Sequence, residues 1–182
     1  MNFEAKRVTL KDGRVAILQS PRAEDAAGLI DFIKTSCGET EFLLRYAEEW
    51  DFITVEKEEA WAKRLMESPD DMAISAYIDG RVVGNAEINF RTSLKNRHRA
   101  VISIAILRDY WGLGIGSAMF EGLLATAEAR GTMLVELEFM EGNERGRRLY
   151  EKFGFRIVAE KPNAYRLRDG SMRKEYYMQK YL

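Results

Sequence analysis

Three glycines at alternate positions constrain this chain more than any other feature of its sequence. Gly112, Gly114 and Gly116 lie between an apolar run that predicts a strand and an apolar stripe at helical spacing. Without side chains, the backbone N–H groups of such a turn can approach a ligand closely, and the helix N-terminus adds partial positive charge. The turn therefore predicts a phosphate or pyrophosphate site, although glycines can also serve a tight turn for conformational reasons alone.

The periodicity of the remaining sequence predicts an α/β (α+β) fold, with a mixed, mostly antiparallel central sheet of about seven strands flanked by about four helices. Asp79-Gly80 suits a type I′ hairpin because both positions tolerate positive φ. One domain over residues 1–182 accounts for the length. The predicted elements are strand 14–19, helices 23–37 and 55–67, strands 72–78, 81–90 and 100–107, a helix from the glycine turn to Arg130, strand 134–139, helix 144–153 capped by Asn143, and strands 155–159 and 175–181.

The charge balance and the counts of Cys and His limit which ligands, metals and macromolecular partners we expect. Lys and Arg total 28 and Asp and Glu total 29, so the net charge is −1 and does not favour nucleic acid or an anionic membrane. Any anion site must therefore be local. With Cys37 and His98 as the single residues of their types, we expect no disulfide and no metal. Since neither a signal-peptide pattern nor a run of about 18 apolar residues occurs, we expect a cytoplasmic protein.

A dinucleotide-binding unit is the main alternative interpretation of the glycine turn. Glu136 lies at the end of the next predicted strand, about 20 residues beyond Gly116, where an acid could hold a ribose hydroxyl. The dinucleotide fingerprint, however, places its third glycine three positions after the second, whereas Gly116 follows Gly114 by two. The turn also follows an antiparallel meander instead of opening a series of parallel units, which favours a different phosphate ligand.

A second set of residues follows the turn at fixed spacing, namely Asn143, Leu149-Tyr150, Lys152 and Gly154-Phe155. Together with the turn, this set resembles the coenzyme-binding core of the Gcn5-related N-acetyltransferases over residues 104–155. The family's turn is Gln or Arg, two free residues, Gly, a free residue, then Gly or Ala, and it falls on residues 111–116. The resemblance implies an acyl-CoA N-acyltransferase fold and acetyl-CoA as co-substrate.

The resemblance also assigns contacts to the coenzyme. The backbone of Ile106 and Leu107 would pair with the pantetheine arm, and Asn143 would bind the pantetheine. Arg145, Arg147 and Lys152 are available for the 3′-phosphate, although charges on a short helix are more often only solvated. The residues expected around the pyrophosphate are Gly112, Leu113, Gly114, Ile115, Gly116 and Ser117.

Two positions depart from the family pattern. Trp111 stands where the family usually has Gln or Arg, so we expect the backbone to carry phosphate binding that a side chain provides elsewhere. Gly146 stands where the family commonly has Ala, which costs the helix about 1 kcal/mol.

The reaction implied by the resemblance is direct attack of a primary amine on the acetyl thioester, with Tyr150 beside the sulfur. Full proton transfer from a phenol to the thiolate would run uphill by roughly 2 kcal/mol, so we expect Tyr150 mainly to donate a hydrogen bond. A core tyrosine is its alternative role. The candidates for the general base are Glu87 and Glu138, acting directly or through water, although strand carboxylates at alternate positions usually face solvent.

The acceptor amine is not specified by these motifs, and amino acids, polyamines, small-molecule amines and protein N-termini all remain open. Residues 38–44 and 165–177 are expected to shape its pocket. Four glutamates could attract a cationic amine, although solvation of a helix face explains them equally well: Glu39, Glu41, Glu48 and Glu49. The alternatives to an enzyme of this kind are a catalytically silent CoA-binding regulatory module and a dinucleotide-binding oxidoreductase. The sequence does not determine the oligomeric state, and a homodimer is one of the alternatives.

Overall fold

A computed structural model describes residues 1–182 and contains one eight-stranded sheet in the order β1-β2-β3-β4-β5-β6-β8-β7. All neighbouring strands pair antiparallel except β5 and β6, which are parallel. The predicted mixed α/β sheet with four helices is confirmed, with one strand more than expected. The strands are β1 (Lys6–Thr9), β2 (Val15–Gln19), β3 (Asp71–Ile78), β4 (Arg81–Phe90), β5 (Arg99–Ile106), β6 (Leu134–Met140), β7 (Arg156–Arg166) and β8 (Met172–Tyr181), and the helices are α1 (Ala26–Glu39), α2 (Val55–Glu67), α3 (Ile115–Ala129) and α4 (Glu144–Lys152).

The clearest differences from the sequence prediction concern three elements. Strand β1 is short, polar and at the edge of the sheet, so it lacks an apolar run that would reveal it. Helix α1 continues through Gly38 to Glu39, because a glycine costs a helix only about 1 kcal/mol and does not by itself end it. Strand β7 runs on past Pro162, which this edge strand accommodates at an irregularity in its pairing with β8.

The turn chemistry predicted from the sequence is present. Asp79 and Gly80 have φ values of 49° and 79°, as a type I′ hairpin requires. Gly131 ends α3 with φ of 73°. The Oδ1 of Asn143 accepts a hydrogen bond from the Gly146 N–H at 2.9 Å, which makes Asn143 the N-cap of α4.

The two faces of the sheet differ in what covers them. Ile74, Ile88 and Ile102 project from one face into the main core, where they pack with Phe120 and Leu123 of α3. On the opposite face a smaller apolar cluster joins Tyr77, Val82 and Leu107 to Leu29 and Phe32 of α1. Helix α3 therefore covers one face, and α1 and α2 cover part of the other.

Strands β5 and β6 pair over a short distance. Their register joins Arg99–Val101 to Leu134–Glu136 and goes no further. The remainder of β5 therefore borders a gap in the sheet on the side of β6, and this gap positions the candidate site. None of the helices combines the length and hydropathy needed to cross a bilayer.

Candidate active site

A groove of ≈ 680 Å³ opens where β5 and β6 cease to pair. Its walls come from the end of β5, the glycine turn, the first turn of α3, the length of α4, and the segment after α1. Of the residues predicted to bind the coenzyme, the groove is lined by Ile106, Gly112, Gly114, Ile115, Gly116, Ser117, Asn143 and Lys152, together with Tyr150. Leu107, Leu113 and Arg147 do not line it.

The glycine turn has both a conformational and a packing reason for its glycines. Gly112 and Gly114 have φ of 78° and 105°, where a side chain would be strained. At Gly116 an added Cβ would lie 3.1 Å from Leu149 Cδ2 and 3.3 Å from Ile106 Cδ1, so glycine allows α3 to approach β5 closely.

The N-terminus of α3 is open toward the groove. Gly114 is the N-cap and provides no side chain to accept from the first N–H groups of the helix. Gly114, Ile115, Gly116 and Ser117 all line the groove. Free N–H groups and the positive end of the helix dipole make this turn suitable for a phosphate group.

The backbone of β5 presents Ile104 and Ile106 to the gap. In an antiparallel pair, the backbone groups of successive residues alternate between the two sides of the strand. The Leu107 N–H donates to the Val83 carbonyl at 2.9 Å, so Leu107 faces β4. Ile106 and, two residues earlier, Ile104 therefore face the gap. The backbone groups that face the gap are therefore those of Ile104 and Ile106, whereas Ile106 and Leu107 were expected. The register with β4 decides which alternate residues of β5 have their backbone N–H and carbonyl on the gap side.

Trp111 occupies one of these backbone groups. Its Nε1 donates a hydrogen bond to the Ile106 carbonyl oxygen at 2.6 Å. The Ile106 carbonyl is therefore already bonded, while the Ile104 carbonyl, on the same side of β5, is not bonded by Trp111. The side chain that departs from the family pattern is therefore a structural part of the groove wall.

The basic residues of the groove come mainly from one face of α4. Arg145, Arg148 and Lys152 line the groove, at the spacing of three and four residues that a helix requires. Lys152 Nζ donates to Ser117 Oγ at 2.8 Å, which connects α4 to the first turn of α3. Arg147 lies on another face of α4, where its Nε is 2.8 Å from Glu151 Oε1. The local positive charge expected for an anion site is present, and Arg147 is outside it.

Asn143 both caps α4 and borders the groove. Its Oδ1 caps the helix, and its side chain also lines the groove. A Cβ on Gly146 would lie 2.8 Å from both Asn143 Nδ2 and Oδ1, so glycine at this position leaves the carboxamide in place. An alanine at position 146, which is usual in the family, would crowd the Asn143 side chain in this protein.

Tyr150 reaches the groove from the core. Its side chain is 6% exposed, and its ring stacks on Phe120 with centroids 5.6 Å apart and contacts Phe139 at 5.7 Å. Burial raises the pKa of Tyr150 to about 12, and no protein group hydrogen-bonds to its hydroxyl. The hydroxyl is thus a neutral donor that borders the groove and has no protein partner.

Glu87 and Glu138, the two candidate bases, lie on the same face of the sheet at the same level. Glu87 pairs with Ser103 across β4 and β5. Val101 pairs with Glu136, so Ser103 and Glu138 each lie two residues farther along the parallel strands. Alternation along the strands places all these side chains on the face opposite the α3 core. The carboxylates therefore flank Ser103, one on each side of the gap.

Glu87 is held in a polar but largely desolvated position. Burial raises its pKa, the Asn85 amide lowers it by donating to Oε1 at 3.0 Å, and the negative charge of Asp71 raises it. Burial and the charge of Glu87 also raise the pKa of Glu58 on α2. A carboxylate with a raised pKa is a stronger base than one in water, which suits proton removal from an amine.

Glu138 is exposed and belongs to an acidic neighbourhood. Its pKa is raised by partial burial and by the charges of Glu175 and Glu136, and it is lowered by Lys161. Tyr177 lies directly opposite on β8. Because solvent reaches Glu138, its basicity is less perturbed by desolvation than that of Glu87.

The two segments expected to shape an acceptor pocket, residues 38–44 and 165–177, each contact a neighbouring part of the chain. Phe42 lies against Gly142, where an added Cβ would be 3.4 Å from the Phe42 ring. The guanidinium of Arg168 stacks on Tyr46 at 4.0 Å and pairs with Glu48. The loop between β7 and β8 is thereby joined to the loop between α1 and α2.

Three of the four glutamates considered as attractants for an amine have internal partners. Glu39 accepts from the Arg108 backbone N–H at 2.6 Å, and Glu49 accepts from the Tyr46 N–H at 2.8 Å. Glu48 pairs with Arg168. These carboxylates organise loops, a role that the sequence pattern did not distinguish from solvation.

The geometry does not favour a dinucleotide site. Glu136 is the third residue of β6 and not its end, and its carboxylate accepts from Arg99 at 2.7 Å and from Gln179 at 2.9 Å. The acid that would hold a ribose hydroxyl is therefore already paired within the sheet. The sheet also has a single parallel pair of strands.

Residues 39–155 match the acetyltransferase (GNAT) family. Among related sequences, the L-amino acid N-acetyltransferase AaaT of Escherichia coli strain K12 is 28% identical over 119 residues, which are 65% of this chain and 73% of that protein. A GNAT-family acetyltransferase from Streptococcus pneumoniae has the same fold, with a TM-score of 0.85 and 24% identity over 92% of this chain and 99% of that one. The protein yncA of Salmonella typhimurium, solved with its cofactor acetyl-CoA, has a TM-score of 0.76 and 17% identity over 91% and 92% of the two chains.

Proposed function

The chain belongs to the acetyltransferase (GNAT) family, and we propose that it transfers the acetyl group of acetyl-CoA to a primary amine. One observation carries this proposal. A single groove reaches from the open N-terminus of α3 to Tyr150, whose hydroxyl has no protein partner. The carboxylates of Glu87 and Glu138 do not line this groove, but their register places them on the sheet face beside the gap between β5 and β6.

The groove provides a set of groups suited to the coenzyme. The N–H groups of Ile115, Gly116 and Ser117 would receive the pyrophosphate. The N–H and carbonyl of Ile104 and the N–H of Ile106 would pair with the amides of the pantetheine, in the manner of a strand added to the open side of β5, while the Ile106 carbonyl stays bound to Trp111. The Asn143 side chain, held by its cap to α4, would bind the same arm.

The reaction requires a neutral amine. Its nitrogen attacks the thioester carbonyl, the new C–N bond forms, and the C–S bond breaks. Nitrogen loses one proton and the leaving sulfur takes one up, so the products are the amide and the free thiol of coenzyme A. At pH 7 the neutral form costs an α-amine about 1 kcal/mol and a lysine-like amine about 4.6 kcal/mol. We assign proton removal to Glu87, directly or through water, because burial raises its pKa toward that of the amine. Glu138 is the alternative base.

Tyr150 stabilises the leaving sulfur as a hydrogen-bond donor. With a pKa of about 12, its phenol is a poorer acid than the thiol that forms, so a complete proton transfer from Tyr150 is unfavourable. A neutral donor without a competing partner nevertheless stabilises negative charge that develops on sulfur.

The acceptor belongs to the class of primary amines, which includes the L-amino acids for which the Escherichia coli relative is named. The test is a thiol-release assay with acetyl-CoA and a panel containing amino acids, polyamines, small-molecule amines and a peptide with a free N-terminus. Release that depends on one of these amines supports the proposal. Binding of acetyl-CoA without release on any amine would favour a silent CoA-binding regulator. Thermal stabilisation by NAD but not by acetyl-CoA would favour the dinucleotide interpretation.

A further inference from the structure

Two guanidinium groups lie over the indole ring of Trp111, at the start of the glycine turn. The Cζ atom of Arg145 is 5.0 Å from the centroid of the indole ring, and that of Arg108 is 5.8 Å away. Indole is the most favourable aromatic face for a cation. The hydrogen bond from Nε1 to the Ile106 carbonyl oxygen at 2.6 Å fixes the orientation of the ring. Trp111 is therefore a rigid surface on which an arginine can be held.

Arg145 is the arginine that this surface places beside the turn. Its Nη1 is 3.7 Å from the position that a Cβ would occupy on Gly112, which has φ of 78° and no side chain to intervene. No carboxylate lies within salt-bridge distance of Arg145, whereas Arg147 on the same helix pairs with Glu151. Arg145 thus presents an uncompensated, planar set of donors to the groove.

We propose that Arg145 binds the pyrophosphate of the coenzyme and that Trp111 is its positioning residue. This inference rests on the proposed function, because it takes coenzyme A as the ligand of the groove. A guanidinium matches the oxygens of a phosphate with paired donors. At position 111 the family's Gln or Arg is replaced by an aromatic ring, which offers no charged or amide group to a phosphate. In our proposal this ring instead holds Arg145 of α4 beside the turn, and Arg145 provides the positive charge.

The position of Arg145 favours the pyrophosphate over the 3′-phosphate. Its guanidinium lies against Gly112, within the turn whose open N–H groups point to the pyrophosphate. Arg148 and Lys152 line the groove farther along α4, and Lys152 already donates to Ser117. Of the residues that the sequence made available for the 3′-phosphate, Arg145 is therefore assigned to the pyrophosphate instead.

The first experiment measures the affinities of coenzyme A, dephospho-coenzyme A and pantetheine for the wild type and for Arg145→Ala by calorimetry. We expect Arg145→Ala to weaken coenzyme A and dephospho-coenzyme A by the same factor, about 10-fold to 100-fold, and to leave pantetheine within about 2-fold. Arg147→Ala is the matched control, since it removes the same charge from the same helix outside the groove, and all its affinities should stay within about 2-fold.

Three results would overturn the assignment of Arg145. A loss for coenzyme A but not for dephospho-coenzyme A would place Arg145 at the 3′-phosphate. An equal loss for pantetheine would indicate a general structural role, and unchanged affinities would remove Arg145 from the site. Each of these results leaves the proposed function intact when the variants still release thiol with an amine. Failure of the wild type to bind coenzyme A would instead overturn the proposed function.

The second experiment tests the positioning role of Trp111. Trp111→Leu removes the aromatic face and should weaken coenzyme A by about 3-fold to 30-fold in the wild-type background but by less than about 3-fold in Arg145→Ala. Trp111→Phe keeps an aromatic face without the donor to Ile106 and should lie between the wild type and Trp111→Leu. An equal loss with and without Arg145 would show that Trp111 acts independently. Melting temperatures of all variants identify any that fail to fold.

Discussion

Replacement of Tyr150 by Phe isolates one hydroxyl group in the proposed active site. The ring of Tyr150 packs between Phe120 and Phe139, and these contacts remain in the variant. The hydroxyl makes no hydrogen bond within the protein, so its removal leaves no unpaired partner. We therefore expect Tyr150→Phe to melt at the same temperature as the wild type or slightly higher, which separates the catalytic effect from a structural one.

The magnitude of the catalytic loss follows from the pKa of the group. A full proton transfer from a phenol of pKa about 12 to a thiolate of pKa about 8.5 would be uphill by about 5 kcal/mol, so Tyr150 acts as a hydrogen-bond donor. A hydrogen bond to a charged atom contributes about 1.5 to 3 kcal/mol, which corresponds to about 10-fold to 100-fold in rate. We expect kcat to fall by this factor while the affinity for acetyl-CoA stays within about 2-fold.

The assay is steady-state thiol release with a saturating amine, combined with calorimetric binding of acetyl-CoA to the wild type and to Tyr150→Phe. The pH profile provides a second readout. Because Tyr150 remains protonated below a pKa of about 12, its ionisation should cause no loss of kcat up to about pH 10. An unchanged kcat in Tyr150→Phe would refute the role of the hydroxyl, and a decline near neutral pH that disappears in the variant would refute the donor mechanism.

Four further substitutions test other parts of the site. Glu87→Gln should lower kcat by about 10²-fold and remove the loss of activity at low pH. Because the folded-state pKa of Glu87 is raised, the stability that Glu87 contributes below its unfolded pKa is lost as pH rises through the folded pKa. Glu87→Gln should therefore also raise the melting temperature at pH 8 but not at pH 4. Glu138→Gln should change kcat less than about 5-fold, and the reverse order of the two effects would make Glu138 the base. Gly114→Ala, at φ of 105°, should reduce coenzyme affinity by at least about 10-fold, and wild-type affinity would argue against the turn as the phosphate site. Arg168→Ala should raise KM for the amine by up to about 5-fold with KM for acetyl-CoA unchanged, whereas a change in the latter alone would separate this loop from the acceptor.

The local elements of the site were accessible from the sequence because short-range chemistry determines them. Asp79-Gly80 forms its hairpin, Asn143 caps α4, and the alternate glycines join β5 to α3 as their spacing predicted. Backbone conformation at such positions depends on the residue itself and its immediate neighbours. The expected strand that borders the glycine turn ended one residue later than β5 does.

Long-range geometry was less accessible. The choice between Leu107 and Ile104 for the gap depends on the parity of the register with β4, which no local pattern reveals. The internal partners of Glu39 and Glu48 are separated from them by 69 and 120 positions in the chain. A helical-wheel comparison of α4 could have separated Arg145 from Arg147, because residues three, four and seven apart share a face and residues two apart do not.

The contact between Trp111 and Ile106 shows how a departure from a motif can be misjudged from sequence. Trp111 was expected to mean only the loss of a side-chain contact to phosphate. The structure instead uses its indole N–H to bind a backbone carbonyl and its ring to hold Arg145. A tryptophan offers both an aromatic face and a donor, and the position of its partners depends on the folded chain.

The central claim is acetyl transfer to a primary amine, and the most direct measurement is the balance of the reaction with the purified protein. Coenzyme A released from acetyl-CoA is quantified as free thiol, and the acetylated amine is quantified by mass spectrometry in the same samples. We predict equal amounts of the two products with an accepted amine and no release above the uncatalysed rate without one. Thiol release that does not depend on an amine, or that leaves no acetyl group on nitrogen, would contradict the account.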